Sequence, residues 1–296
     1  MEGEWISAHI FYSGNHDLML QELIAPFVKN NLHLLVKHSP WFFIRYWEGG
    51  DHIRLRIQHI KSPFLKEELV SMADDFFKRY PAQRNIEAEQ DNNLFPDNSV
   101  QFISYIPEVE RYGNARSLPW AESYFAASST LILKWITDGT NKSASFIEAI
   151  KLHLMLIHAA RFNGIDVNGL CTGFIDDWLI RLCNQLGDIP AQKQLWLQQF
   201  NRSFEPQKEQ LSTAVLNFWG QISNKQLPEE LHQFNELNLE IMLQYQNEGF
   251  SIKKTQAIME SLMHMTHNRL GITNRDESYV VYCTHQCLLN IVPPIC

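Results

Sequence analysis

The sequence lacks the features that define several classes of protein. No uninterrupted apolar run reaches the roughly 18 residues that a membrane-spanning helix needs. The first segment, MEGEWISAHIFYS, is acidic and has no basic start followed by a long apolar core, so we predict no signal peptide. The five cysteines (Cys171, Cys183, Cys283, Cys287 and Cys296) are few and odd in number, which favours reduced thiols in a cytoplasmic protein over a disulfide framework.

Several short enzymatic motifs are also missing. The chain has no G-x-x-x-x-G-K-[ST], no G-x-G-x-x-G after a strand candidate and no G-x-S-x-G. It lacks H-E-x-x-H, and the metal-like segment CTHQC at residues 283–287 has no second pair of ligands. We therefore predict no cofactor and no metal site. The net charge of -8 also argues against direct binding to nucleic acid.

What remains is the composition of a soluble globular protein. The chain has 296 residues, of which 45% are hydrophobic and 20% are charged, enough for one large domain or two small ones. Alternating or β-branched segments predict strands at residues 5–13, 41–47, 52–58, 85–89 and 100–105. Helical spacing predicts helices at 18–37, 65–80, 121–138, 145–163, 174–186, 192–201, 206–221, 229–247, 252–270 and 277–290.

This order of elements predicts an α+β fold. A mostly antiparallel sheet with its own helices occupies the sheet-rich part, about residues 1–117, and a largely helical part follows, about 118–296. No stretch between them resembles a linker, so we expect a single domain, 1–296, with a shared core.

The hairpin candidate carries three arginines. A four-residue loop, EGGD, would place Arg45 opposite Arg54 and Phe43 opposite Arg56, with all three arginines on one face. Like charges so close together destabilise a sheet unless anions lie between them. Two sources of anion are open, namely buried acidic side chains of the helical part or a carboxylate-bearing ligand.

A polar stripe runs along the helix candidate 252–270. His264, His267, Asn268 and Gly271 share one face at helical spacing. A histidine there is suited to proton transfer near neutral pH, and the same stripe is equally compatible with a polar network inside the core. Arg111, in PEVERYGN, taken alone reads as part of a charged loop.

Taken in order, the segments WISAHIFY, FFIRYW with HIRLRI, EVERYG and SLMHMTHNRLG resemble a known family. The chain is similar, over about residues 4–290, to the C-terminal elimination domain of class I lanthipeptide dehydratases, also called the thiopeptide-type bacteriocin biosynthesis domain. The resemblance implies a stand-alone elimination-type domain acting in ribosomal natural-product biosynthesis. Its activity would be a carbon–oxygen lyase that removes glutamate from glutamylated Ser or Thr and leaves dehydroalanine or dehydrobutyrine.

The resemblance also implies site residues. The catalytic residues of the family match Arg54, Arg56, Arg111 and His264 in this sequence. Around them we expect substrate-binding or supporting residues, namely Arg45, Tyr46, His52, His267, Asn268 and Arg269. The family's common ERYGG reads ERYGN here, and His267 leaves open which of two imidazoles performs the chemistry.

The implied partners are the leader and core of a precursor peptide and a separate tRNA-dependent glutamylation protein. Two other functions stay open. One is a pyridine-forming [4+2] cyclase acting on a dehydrated peptide, and the other is a non-catalytic module that binds a leader peptide or a partner protein. The oligomeric state, a homo-oligomer included, is also open.

Overall fold

A computed structural model describes residues 4–34, 41–59, 64–84, 94–139, 142–161, 164–289 and 291. The strand predicted at 85–89 lies outside the described residues, as does Cys296. The chain packs as two compact units, the first made of residues 1–108 and 121–141 and the second of residues 109–120 and 142–296. Residues 121–141 therefore join the sheet-containing unit, beyond the boundary expected near residue 117.

The first unit contains an antiparallel sheet of four strands in the order β2-β3-β1-β4. The strands are β1 Glu4–Phe11, β2 Trp41–Tyr46, β3 His52–His59 and β4 Ser99–Phe102. Helical segments connect β1 to β2 and β3 to β4, so β3 lies between two strands that are joined through helices. This is the split β-α-β arrangement.

Strand alternation gives the sheet an apolar face that is covered by helices. Ile6, Ala8 and Ile10 of β1 share this face with Ile53 and Leu55 of β3, and all five are buried. The segments that follow β1 are α1 His16–Met19, a π-helical turn Leu20–Ile24, α2 Ala25–Asn31 and a 3-10 turn Leu32–Leu34. After β3 comes α3 Leu65–Arg79, which buries Leu69, Ala73 and Phe76.

The remaining elements of the chain are helices. The bounds are α4 Leu118–Thr137, α5 Lys142–Arg161, α6 Val167–Leu182, α7 Ile189–Phe204, α8 Lys208–Ser223, α9 Glu229–Asn247, α10 Ile252–Leu270 and α11 Asn274–Leu288. Most of α4, from residue 121, belongs to the first unit. Within the second unit α11 packs against α6, and α5 packs against both α9 and α10. The sheet and the helical region together confirm the predicted α+β class.

Two helices begin earlier than their apolar spacing indicated. In α6 the side chain of Asp166 accepts the backbone N–H groups of Asn168 and Gly169, and in α7 Asp188 caps the first turn in the same way. Such caps satisfy backbone donors that the helix itself leaves free, so they set where a helix starts. In the described ranges, no helix has both the length and the apolar character that crossing a bilayer requires.

The packing of the sheet core leads to a stability prediction. Leu55 has no exposed surface, so Leu55→Ala is expected to lower the free energy of unfolding by about 2–5 kcal/mol through lost burial and a residual cavity. Ile106, in the same unit, is 84% exposed, and Ile106→Ala is expected to change the free energy of unfolding by less than about 0.5 kcal/mol. Denaturant unfolding of both variants measures the difference, and equal effects would contradict the assigned core.

Candidate active site

The hairpin loop contains five residues, 47–51, rather than the four that were predicted. Tyr46 lies opposite His52, and Ile44 lies opposite Arg54, so the pairing is shifted by one residue from the expected register. Within the loop Gly49 and Gly50 adopt positive φ angles of 77° and 110°, which other residues rarely accept. Because side chains alternate, a shift of one residue moves a side chain to the opposite face.

The new register separates Arg45 from the other two arginines. Arg45 lies opposite Ile53, on the apolar face, and its Nη2 donates to Oδ1 of Asp17 in α1 at 2.5 Å. The prediction that Arg45 shares a face with Arg54 and Arg56 is therefore wrong. Arg45 forms an ion pair with a half-exposed carboxylate of the sheet-containing unit, and not with a buried acidic side chain of the helical part as one of the two alternatives had it.

Arg54 and Arg56 lie together on the other face of β3, and each contacts an imidazole. Nε of Arg54 donates to Nε2 of His52 at 3.2 Å, and its guanidinium lies 3.4 Å from the centre of the Tyr46 ring. Nη2 of Arg56 is 3.2 Å from Nε2 of His9, which the β1–β3 pairing places opposite Arg54. The rings of His9 and His52 stack with their centres 5.0 Å apart.

Burial keeps both imidazoles neutral. Together with the weaker effect of the neighbouring arginine charges, it lowers the pKa of His9 to about 3 and that of His52 to about 4. A neutral His52 that accepts from Arg54 at Nε2 carries its proton on Nδ1, which donates to the carbonyl of Gly50 at 2.7 Å. Burial, with help from the charge of Arg54, also lowers the pKa of Arg56 to about 10, where it is still protonated at neutral pH.

The guanidinium of Arg56 is only partly satisfied. Arg56 is 5% exposed, and among the described residues its Nε and Nη1 are buried without a hydrogen-bond partner. A buried donor without an acceptor lowers stability by about 1–3 kcal/mol, and more when it is charged. The sheet therefore holds a buried cation with two nitrogen atoms that an anion could satisfy.

In the second unit Arg111 is held against α10. Its Nε donates to Oγ of Ser261 at 3.1 Å, and Ser261 lies one turn before His264 on the same helix. The loop after Arg111 depends on Gly113, whose φ is 114°. A Cβ at that position would overlap Oγ of Ser117 and approach the ring of Phe250 to 2.7 Å.

The two histidines of α10 both hydrogen-bond to one carboxylate. Nδ1 of His264 is 2.8 Å from Oε2 of Glu277, and Nδ1 of His267 is 3.0 Å from the same oxygen. The side chain of His264 is 19% exposed, with its ring 5.2 Å from that of Trp178. His267 has no exposed surface and packs against the ring of His153. Only His264 of this pair can meet a ligand from solvent.

Two further residues of the predicted stripe differ in burial. Arg269 is fully buried and donates from Nη1 to the carbonyl of Met265, one turn earlier in α10, at 2.9 Å. Asn268 is half-buried, and its carbonyl accepts the N–H of Gly271.

The structure groups the predicted residues within each unit. Arg54, Arg56, Tyr46 and His52 lie together on the sheet, and Arg111, His264 and His267 lie along α10. Among the predicted substrate-binding residues, three have no exposed surface, which makes them supports for neighbouring side chains: His52, His267 and Arg269. Within the described residues no group of three or more His, Cys, Asp or Glu side chains is arranged to hold a metal ion.

Neither His9 nor Glu277 was among the site residues predicted from the sequence. His9 alternates onto the arginine face, but only the pairing of β1 with β3 shows this, and that pairing is not local in sequence. Glu277 lies in the first turn of α11, where an acidic residue is already favoured by the helix dipole. The sequence feature that could have indicated Glu277 is the short connection between α10 and α11, because two helices joined by so few residues lie side by side near the connection.

Comparison with known proteins identifies one family. The family model described as "Lantibiotic biosynthesis dehydratase C-term" matches residues 5–288. Nisin biosynthesis protein NisB of Lactococcus lactis subsp. lactis is 25% identical over 250 residues, 83% of this chain and 22% of NisB. Epidermin biosynthesis protein EpiB of Staphylococcus epidermidis is 26% identical over 154 residues, 52% of this chain and 14% of EpiB. The chain thus spans less than a quarter of the length of these relatives.

Solved structures share the fold. The pyridine synthase TbtD from thiomuracin biosynthesis has a TM-score of 0.72 and 12% identity, with 97% of this chain and 98% of that chain covered. TsrL has a TM-score of 0.66 and 13% identity over 97% and 95% of the two chains. The tRNA-dependent lantibiotic dehydratase MibB from Microbispora sp. 107891 has a TM-score of 0.58 and 16% identity over 97% of this chain and 28% of MibB.

The loop that carries Arg111 leads to a second stability prediction. Gly113→Ala is expected to lower the free energy of unfolding by more than the roughly 1–2 kcal/mol of a positive φ alone, because the new Cβ also meets Ser117 and Phe250. Gly164→Ala is the matched control, since Gly164 has a φ of 69° and open space around its Cβ position. Denaturant unfolding compares the two variants, and a smaller loss for Gly113→Ala would contradict the close packing of this loop.

The neutral imidazole of His9 predicts a pH dependence. Between about pH 6.5 and pH 3 the unfolded chain binds a proton at His9 and the folded chain does not, so stability falls as the pH is lowered through this range. In His9→Gln the amide oxygen can still accept from Arg56, but this proton is no longer taken up on unfolding. We expect the free energy of unfolding to depend less on pH between 5 and 6.5, and the two proteins to have equal slopes near pH 8. Identical slopes at low pH would show that His9 is protonated in the folded state.

Proposed function

The chain belongs to the lantibiotic biosynthesis dehydratase C-terminal family, and from this premise we propose that it is a lyase acting on a glutamylated precursor peptide. Its substrate would be a ribosomal peptide in which Ser or Thr carries a glutamyl ester. Elimination of glutamate would leave dehydroalanine or dehydrobutyrine. The observation that carries the proposal is the buried guanidinium of Arg56, with two unpartnered donors among the described residues and Arg54 beside it.

A glutamyl ester suits this cation pair. The ester carries a free carboxylate, and its acyl group departs as a second one. Arg56 can offer two N–H donors to a carboxylate, and a planar guanidinium binds such an anion more specifically than an ammonium group does. The neutral imidazoles of His9 and His52 each accept from one arginine and add no competing positive charge.

Elimination also needs a base and stabilisation of charge. We assign His264 as the base that removes the proton from Cα, since it is the partly exposed imidazole of the pair on α10. The electron pair of that bond forms the Cα=Cβ double bond, the Cβ–O bond breaks, and glutamate leaves as a carboxylate. Arg111, like Arg54 and Arg56, is assigned to stabilise the negative charge that develops during these steps.

The partners of this reaction are a precursor peptide and a source of glutamylation. Because the relative MibB is a tRNA-dependent dehydratase, we assign the glutamylation to a tRNA-dependent step that precedes the reaction of this chain. A substrate made from charged tRNA places the reaction in the cytoplasm.

A second candidate is pyridine formation by [4+2] cycloaddition on a peptide that already contains dehydroalanines. The likeness to the pyridine synthase TbtD over nearly the full length of both chains favours it. The two activities differ in their substrates, since a cyclase needs no glutamyl group and a lyase needs no prior dehydration.

The test is mass spectrometry of a glutamylated precursor peptide incubated with the purified protein. Loss of glutamic acid from each modified residue is expected. Arg56→Met keeps an unbranched apolar stem and removes the guanidinium, and we expect it to reduce elimination by roughly 100-fold or more. Arg79→Ala, which removes a half-exposed arginine from α3, is the control and is expected to keep full activity.

Three outcomes would overturn the proposal. Full activity of Arg56→Met would exclude the anion site as part of the reaction. An unchanged glutamylated peptide, with ring formation on a dehydrated peptide, would assign the cyclase activity instead. Binding of either peptide with no change in mass would indicate a non-catalytic module.

A further inference from the structure

Glu277 lies where it can control the candidate base. It is the fourth residue of α11, in the first turn after the short connection from α10, and only 1% of it is exposed. Gly271 ends α10 in a left-handed conformation, and the N–H of Ile272 donates to the carbonyl of His267, which turns the chain back. This turn brings the carboxylate between two histidines that are one helical turn apart.

The carboxylate contacts both histidines at the same ring atom. Nδ1 of His264 is 2.8 Å from Oε2 and 3.1 Å from Oε1, and Nδ1 of His267 is 3.0 Å from Oε2. Burial alone raises the pKa of Glu277, but the hydrogen bonds from the two imidazoles outweigh it and hold the pKa below its ordinary value. The carboxylate is therefore ionised at neutral pH.

An ionised carboxylate can only accept hydrogen bonds. Both Nδ1 atoms must then carry protons, which leaves Nε2 as the basic atom of each neutral ring. Nε2 of His267 is buried and has no hydrogen-bond partner among the described residues. His264 is the partly exposed ring, so its Nε2 is the one basic atom of this pair that a ligand can approach.

We propose that Glu277 is the positioning residue of the active site, fixing His264 with its proton on Nδ1 so that Nε2 faces the substrate as the base. This inference rests on the proposed lyase function for its chemical consequence. When Nε2 takes the Cα proton, the ring becomes an imidazolium, and the ion pair with Glu277 stabilises it. His267 is the second donor that keeps the carboxylate in place, and it does not contact substrate.

The first test changes the charge of Glu277 and keeps its shape. In Glu277→Gln an amide oxygen at the position of Oε2 can still accept from both Nδ1–H groups, but the side chain is uncharged and no longer forms an ion pair with the imidazolium that arises when Nε2 takes the proton. We expect kcat for glutamate elimination to fall by roughly 100-fold or more while KM changes by less than about threefold, because substrate binding does not use this group. Glu277→Asp, which keeps the carboxylate on a shorter side chain, is expected to recover part of kcat.

Asp276→Asn is the matched control, since it removes one carboxylate charge from the same helical turn at an exposed position. It is expected to keep kcat, so a loss confined to Glu277→Gln cannot come from the helix dipole. Equal kcat values for Glu277→Gln and the unchanged protein would overturn the proposal, as would equal losses in both variants.

The second test does not depend on activity. In protein labelled with 15N-histidine, the ring nitrogen shifts report which atom of each neutral imidazole carries the proton. We expect the Nδ1–H form for His264 and His267, assigned by comparison with His264→Gln and His267→Gln. An Nε2–H form for His264 would overturn the proposal. If the protein eliminates no glutamate, the proposed function fails, and these shifts still decide whether Glu277 fixes the ring.

Discussion

A guanidinium that is removed from water needs acceptors, and this requirement governs the sheet face of the first unit. Arg56 is buried on β3 and contacts a neutral imidazole, and no carboxylate from the described part of the chain forms an ion pair with it. The imidazoles of His9 and His52 stay neutral because they are buried beside cations. The charge state of each arginine and imidazole thus depends on the burial of its neighbours. Because both imidazoles are neutral, the two arginines leave the cluster with a net positive charge, which suits an anion.

Antiparallel pairing makes this cluster compatible with a stable core. On β3 the side chains of Ile53, Leu55 and Ile57 point to the helix-covered face, and the arginines between them point to the opposite face. The five-residue loop sets which residues of β2 join each face, and it sends Arg45 to an ion pair with Asp17. A hairpin loop therefore decides the chemistry of a site several residues away.

The second unit also holds a buried charge that is bound by histidine, but there the charge is negative. Glu277 is a buried anion that accepts from two imidazoles, whereas Arg56 is a buried cation that donates to one. In both places the charged group is tied to histidine, whose ring can serve as donor or acceptor according to its neighbours. The arrangement on α10 leaves His264 partly exposed and His267 enclosed, which separates two residues that look equivalent in the sequence.

The sequence by itself determined the class of fold, the strands of the hairpin, most helices and the residue types of the site. Local periodicity is enough for these, because alternation and helical spacing are written along the chain. It did not determine the register of the hairpin, because the same segment is compatible with a loop of four or of five residues. Nor did it show that His9 faces Arg56, that Glu277 joins His264 to His267, or that Arg269 is buried. Those facts depend on contacts between distant segments, and only the tertiary structure decides which of them pack together.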